Sequence, residues 1–109
     1  MSWLVRDGDV LAAAEVAATP HARRRGLLGR DAFAGALVLR PCRHVHTARM
    51  RFPIDVAFCD GEGLVLRTVS LAPWRVSPIV RKAAFVIEAE AGAFDRWRLR
   101  VGDHVELRT

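Results

Sequence analysis

"IDVAFCDGEGLVLRTVSL", residues 54–71, decides how this chain is read. Two runs rich in β-branched and other apolar residues flank Asp60-Gly61-Glu62-Gly63, a cluster of turn formers. The stretch predicts a hairpin with arms Ile54–Phe58 and Leu64–Leu71. Side chains alternate along a strand. Phe52, Ile54, Val56 and Phe58 therefore share one face, which must be core. Pro53, Asp55, Ala57 and Cys59 share the other, among small neighbours. A carboxylate on that second, partly covered face needs partners, because an unpaired buried charge costs several kcal/mol. Arginines such as Arg51 and Arg23 are the expected partners. Asp55 then either clasps this strand to the first helix or serves as a binding-site carboxylate.

The rest of the chain repeats the pattern in short units. "SWLVRDGDVLAAAEVA" reads as a hairpin about Asp7-Gly8, a dipeptide suited to a tight turn. "TPHARRRGLLGR" reads as a short helix with Thr19 as N-cap, Pro20 at the first position and Gly29 as the stop. "ALVLRP" (36–41) and "AAFVIEAE" (83–90) read as strands, and "PWRVSPI" between prolines as a loop. "AGAFDRWRL" makes about two helical turns with Phe94 and Trp97 on one side. "VGDHVELR" turns into a last strand. This amounts to about seven short strands and two short helices. The turn signals argue for antiparallel pairing, and no helix is placed for a βαβ crossover. The expected fold is mainly β (α+β by content): one domain over residues 1–109, an irregular barrel or a jelly-roll-like sandwich with one or two short helices.

Composition narrows the function classes. With 109 residues and 51% hydrophobic content, the chain suits one folded globule. No stretch approaches the roughly 20 apolar residues that span a bilayer, so no membrane partner is expected. The start lacks the features of a secretory signal, so a cytoplasmic location with free thiols at Cys42 and Cys59 is the default. The net charge is +5, and Lys82 is the only lysine among 17 basic residues. The arginines are scattered, so association with nucleic acid rests on charge alone.

The local chemistry offers several candidates. Cys42, His44 and His46 alternate and would point one way on an extended strand, a donor set suited to zinc or copper. No second ligand pair stands at a metal-binding spacing, so neither metal nor cofactor is expected. Cys42 or Cys59 with His46 and Asp55 would supply a nucleophile, base and orienter if the fold joined them. Asp55 and Glu88 would serve acid–base work if a β-barrel brought their distant strands together; Glu88 and Glu90 equally suit a solvent-facing strand. Trp74-Arg75 is the best pair for an exposed recognition anchor, unless Trp74 folds over one end of the barrel.

"TPHARRRGLLGR", then "HTARMRFPIDVAFCDGEG", then "FVIEAEAGAF" and "LRVGDHVEL" resemble, in that order, the small bacterial and archaeal family catalogued as domain of unknown function 192. The central segment is the specific part. Matching positions are Thr19, Pro20, Arg23, Gly26, Leu27, His46, Met50, Pro53, Asp55, Glu88, Gly92, Gly102 and Asp103. Ala22 departs, standing where the family often has a glutamate that would complete a capping box. The resemblance implies a compact, mostly β domain and no particular reaction.

The expected site is a polar cleft near residues 46–55 of a binding module without catalytic activity. Arg51 and Arg23 would engage an anionic group on a small ligand or peptide. Asp55 would hold those arginines, and His46 and Met50 would line the wall. The rival reading is a small hydrolytic or metal-dependent enzyme using His46, Asp55 and Cys42.

Overall fold

The structure, a computed structural model, describes residues 2–109; Met1 lies outside the described residues. The decisive hairpin forms as expected from β4 (Ile54–Cys59) and β5 (Val65–Leu71), with Ile54 opposite Leu71. Its turn is held by the Asp60 side chain, whose Oδ1 accepts from the Glu62 and Leu64 amides at 2.9 and 3.0 Å.

Among the described residues seven strands build one sheet in the order β5-β4-β6-β3-β2-β1-β7. The others are β1 (Ser2–Arg6), β2 (Asp9–Ala17), β3 (Ala36–Leu39), β6 (Phe85–Glu90) and β7 (Val105–Arg108). Asp7 (φ 50°) and Gly8 (φ 83°) make the β1–β2 turn, both left-handed as a tight hairpin requires. The sheet curls until the β4–β5 turn reaches the start of β7. There Val105 N–H donates to the Gly63 carbonyl at 2.9 Å and Val65 N–H to that of Asp103 at 2.8 Å. Of the two expected forms, barrel or sandwich, the chain takes the barrel-like one, a half-barrel whose edges meet at one end.

Two features differ from expectation. β2 and β3 pair in parallel, Ala14 to Ala36 through Ala17 to Leu39, so there is a crossover after all. It runs through residues 18–35 and α1 (Pro20–Arg25). A six-residue helix with loops on both sides spans the distance, because a crossover needs length and not helix content. The first helix also stops earlier, at Gly26 and not Gly29. Gly26 takes φ 45° and ψ −126°, and its N–H closes on the Ala22 carbonyl at 2.9 Å.

Both sheet faces are packed. The concave face gathers Leu4, Val38, Ala57, Cys59, Val65, Ile87 and Val105 and is capped by α2 (Ala93–Trp97) through Ala93 and Phe94. The Phe94 and Trp97 rings lie 5.7 Å apart. The convex face gathers Leu27, Phe33, Leu37, Ile54, Val56, Phe58 and Val86 beneath α1 and the long loops. All six β4 residues are therefore buried, and Asp55 lies on the concave side with α2, not under partial cover.

Candidate functional site

Glu88 sits in the middle of β6, opposite Val56 of β4, so its side chain shares the convex face with Val56 and Val86. It is 3% exposed. Among the described residues no donor reaches its carboxyl, and burial pushes the group up to about 7. A buried carboxyl without a partner faces a space. That space is a cleft of about 400 Å³ between α1, the end of β3 and the 42–50 loop. Arg23, Arg24, Arg25 and Gly26 form one side, and Cys42, His44, His46 and Met50 the other. Leu27, Leu39 and Val45 supply apolar wall.

The local sequence explains each wall. Thr19 Oγ1 accepts from Ala22 N–H at 3.0 Å and starts α1. All three arginines then fall in its last turn, where cations complement the helix C-terminus. Arg23 spans inward, donating from one guanidinium nitrogen to the carbonyls of Ala18 (2.9 Å) and Arg40 (3.3 Å). Across the cleft, the 42–50 loop is pinned by Thr47, which is fully buried. Its hydroxyl donates to the Ala72 carbonyl at 2.6 Å and accepts from Arg75 N–H at 2.8 Å. His46 Nδ1 accepts from Ala48 N–H at 3.3 Å, which leaves Nε2 to carry the proton of the neutral ring.

Three of the five expected ligand residues, Arg23, His46 and Met50, line this cleft. Arg51 does not; its guanidinium pairs with Asp31 at 2.7 Å on the surface. Asp55 does not either, and the expected arginine clasp is corrected. Its Oδ1 accepts from the Ser70 hydroxyl at 2.7 Å, and its Oδ2 from Gly92 and Phe94 N–H at 3.0 and 3.1 Å. It caps α2 from a distant strand and borders a separate hollow with Ser70 and Leu99. Alternation along β4 is the reason. Asp55 pairs with Ala89 and Val56 with Glu88, so the two carboxyls lie on opposite faces of the sheet. Asp55 and Glu88 cannot share one substrate, nor can Asp55 orient His46. Glu88 is likewise not solvent-facing.

The thiols are protonated at neutral pH. Burial pushes Cys42 up, with the Glu88 charge adding and Arg23 opposing, and its Sγ donates to the His44 carbonyl at 3.1 Å. Burial pushes Cys59 up to about 12. Cys42, His44 and His46 do line one cleft, yet no group of three His, Cys, Asp or Glu side chains among the described residues converges as a metal site. Trp74 is 65% exposed and does not fold over the barrel. Of the cleft residues, the sequence reading left Glu88 out of the expected ligand set, although it is among the positions that carry the family resemblance.

Comparison with known proteins agrees with this architecture. Residues 3–107 match the sequence model of the DUF192 family, described as "Uncharacterized ACR". A UPF0127 protein of Pyrococcus abyssi is 37% identical over 65 residues, 60% of this chain and 56% of that protein. The match thus spans little more than half the length of the archaeal relative. A protein of unknown function from Novosphingobium aromaticivorans superposes with a TM-score of 0.82 at 20% identity, covering 96% of this chain and 82% of the other. A candidate transcription regulator from Sinorhizobium meliloti does so with 0.80 at 22%, covering 96% and 90%. At these identities the likeness is one of fold.

Proposed function

This chain belongs to the DUF192 family, and from that premise we propose that it is a non-catalytic binding module whose cleft takes a small anionic ligand or peptide terminus. The supporting observation is the unpartnered carboxyl of Glu88 at the base of an arginine-walled, partly apolar cleft. Its volume lies within the range of small-molecule sites. The ligand presents its anionic group to Arg24 and Arg25, which are exposed and have no ion-pair partner among the described residues. Arg23, held by two carbonyls, fixes the near end of that positive wall. A hydroxyl or amine on the ligand answers Glu88, and apolar atoms lie along Leu27, Leu39 and Met50. His46 contributes an Nε2 donor. Protonated thiols and a distant Asp55 support binding over covalent chemistry. The name of the Sinorhizobium protein adds nothing toward nucleic acid here, because 22% identity carries fold alone.

A thermal-shift screen of small carboxylates, phosphates and short peptides tests the reading, since a ligand specific to the native state raises the melting temperature. Hits should cluster among anions bearing a donor group. The shift should vanish in Glu88→Leu and shrink in Arg24→Ala with Arg25→Ala. Hits that keep their full shift in both variants would place the binding elsewhere and overturn the proposal.

A further inference from the structure

Residues 32–54 and 63–87 contain no aspartate or glutamate. The fold ties loops from these two acid-free stretches together. Trp74 N–H donates to the Thr47 carbonyl at 2.9 Å, Ser77 N–H to that of Val45 at 2.9 Å, and Val80 N–H to that of Arg43 at 2.9 Å. The 72–80 loop is thus anchored along its length. Trp74 is held at φ 65°, a backbone conformation that a bulky residue adopts only where its surroundings impose it.

On this anchored loop Trp74, Val76 and Ile79 are 65%, 72% and 66% exposed. Single exposed apolar side chains are ordinary; three within six positions of one pinned loop concentrate exposed apolar surface there. The cations of this loop and of the segments bonded to it or flanking it in sequence, Arg43, Arg49, Arg75, Arg81 and Lys82, are exposed and have no ion-pair partner among the described residues. Tryptophan and aliphatic side chains amid unneutralised cations suit the interface of an anionic bilayer: the ring sits at headgroup level, the aliphatics reach the acyl boundary, and the cations meet lipid charge. Single-stranded nucleic acid fits less well, because Val76 and Ile79 offer no stacking platform.

We infer that the 72–80 loop docks this domain peripherally on membranes rich in anionic lipid, with Trp74, Val76 and Ile79 entering the headgroup region. No helix among the described residues is long and apolar enough to cross a membrane; surface docking requires none, so the inference departs from the expectation of no membrane partner, which rested on the lack of a spanning stretch.

Cosedimentation of the full chain with vesicles of phosphatidylcholine, alone or mixed with phosphatidylserine, tests this. Binding is expected to the mixed vesicles only, with a blue shift of tryptophan emission in wild type that Trp74→Phe lacks. Raising the salt should weaken it. Trp74→Ala with Ile79→Ser should weaken partitioning about tenfold or more, and Arg81→Ala about fivefold. These side chains face solvent, so the variants should melt as wild type does; if the double variant melts early, Val76→Ser carries the same comparison. Absence of binding to the mixed vesicles at low salt overturns the inference. So does partitioning unchanged by the apolar substitutions, which would reduce the effect to bare charge. Tight binding of a single-stranded oligonucleotide by protein that ignores the vesicles would assign the surface to nucleic acid instead.

Discussion

Two carboxyls on adjacent strands have opposite fates because one residue of register separates them. Asp55 has three donors; Glu88 has none among the described residues and sits near 7. A folded-state value above the unfolded one means the native protein binds the extra proton between about 4.5 and about 7. Stability from this group is therefore full below that window and falls as pH rises through it. The loss reaches about 3 kcal/mol, at about 1.4 kcal/mol per pH unit. Denaturant titrations of Glu88→Gln should show a flatter pH profile and a gain over wild type above neutrality, with no gain in acid. Equal profiles for the two proteins would mean the carboxyl is solvated. Asp55→Ala should instead destabilise at neutral pH by about 2–4 kcal/mol, because it strips the α2 cap and strands buried donors. Asp55→Asn keeps an acceptor and should lose less. A folded Asp55→Asn protein that has lost cleft binding would contradict the separation of the two sites. The sequence showed that Asp55 needed partners; it could not show that backbone amides 37 and 39 residues away would supply them in place of arginines.

At the scale of elements, α1 is short and marginal, yet it carries the whole positive wall. A six-residue helix has little intrinsic stability and depends on its ends. Thr19→Ala should cost about 1 kcal/mol in global unfolding. Gly26 ends the helix at φ 45° and ψ −126°, where a side chain is strained although its Cβ would meet nothing closer than 3.6 Å. Gly26→Ala should therefore cost about 1–3 kcal/mol through backbone strain alone. Both changes should weaken a cleft ligand more than they alter the far side of the sheet; hydrogen exchange that rises equally in β1 and β7 would contradict that. The N-terminus of α1 was legible from Thr19 and Pro20, whose capping chemistry is local. Its end was misplaced because Gly26 and Gly29 look alike until the tertiary path selects which must turn.

For the whole molecule, closure of the half-barrel includes a close approach that only glycine permits. A Cβ on Gly63 would collide with the Val105 carbonyl, which the turn contacts through Val105 N–H. Gly63→Ala should separate the β4–β5 turn from β7 at a cost of about 3 kcal/mol or more. Amide exchange at Val65 and Val105 should report it first, and unchanged protection there would exclude the closure argument. The sequence by itself determined the inventory among the described residues: seven strands, two helices, the hairpin turns and the alternation of faces along β4, because alternation, capping and turn chemistry act over a few residues. Only the tertiary structure decided which strands neighbour one another, including the parallel β2–β3 pair, and hence which face each acid joins. Strand order depends on contacts between distant segments, and burial, partners and the charge of a carboxyl follow from those contacts.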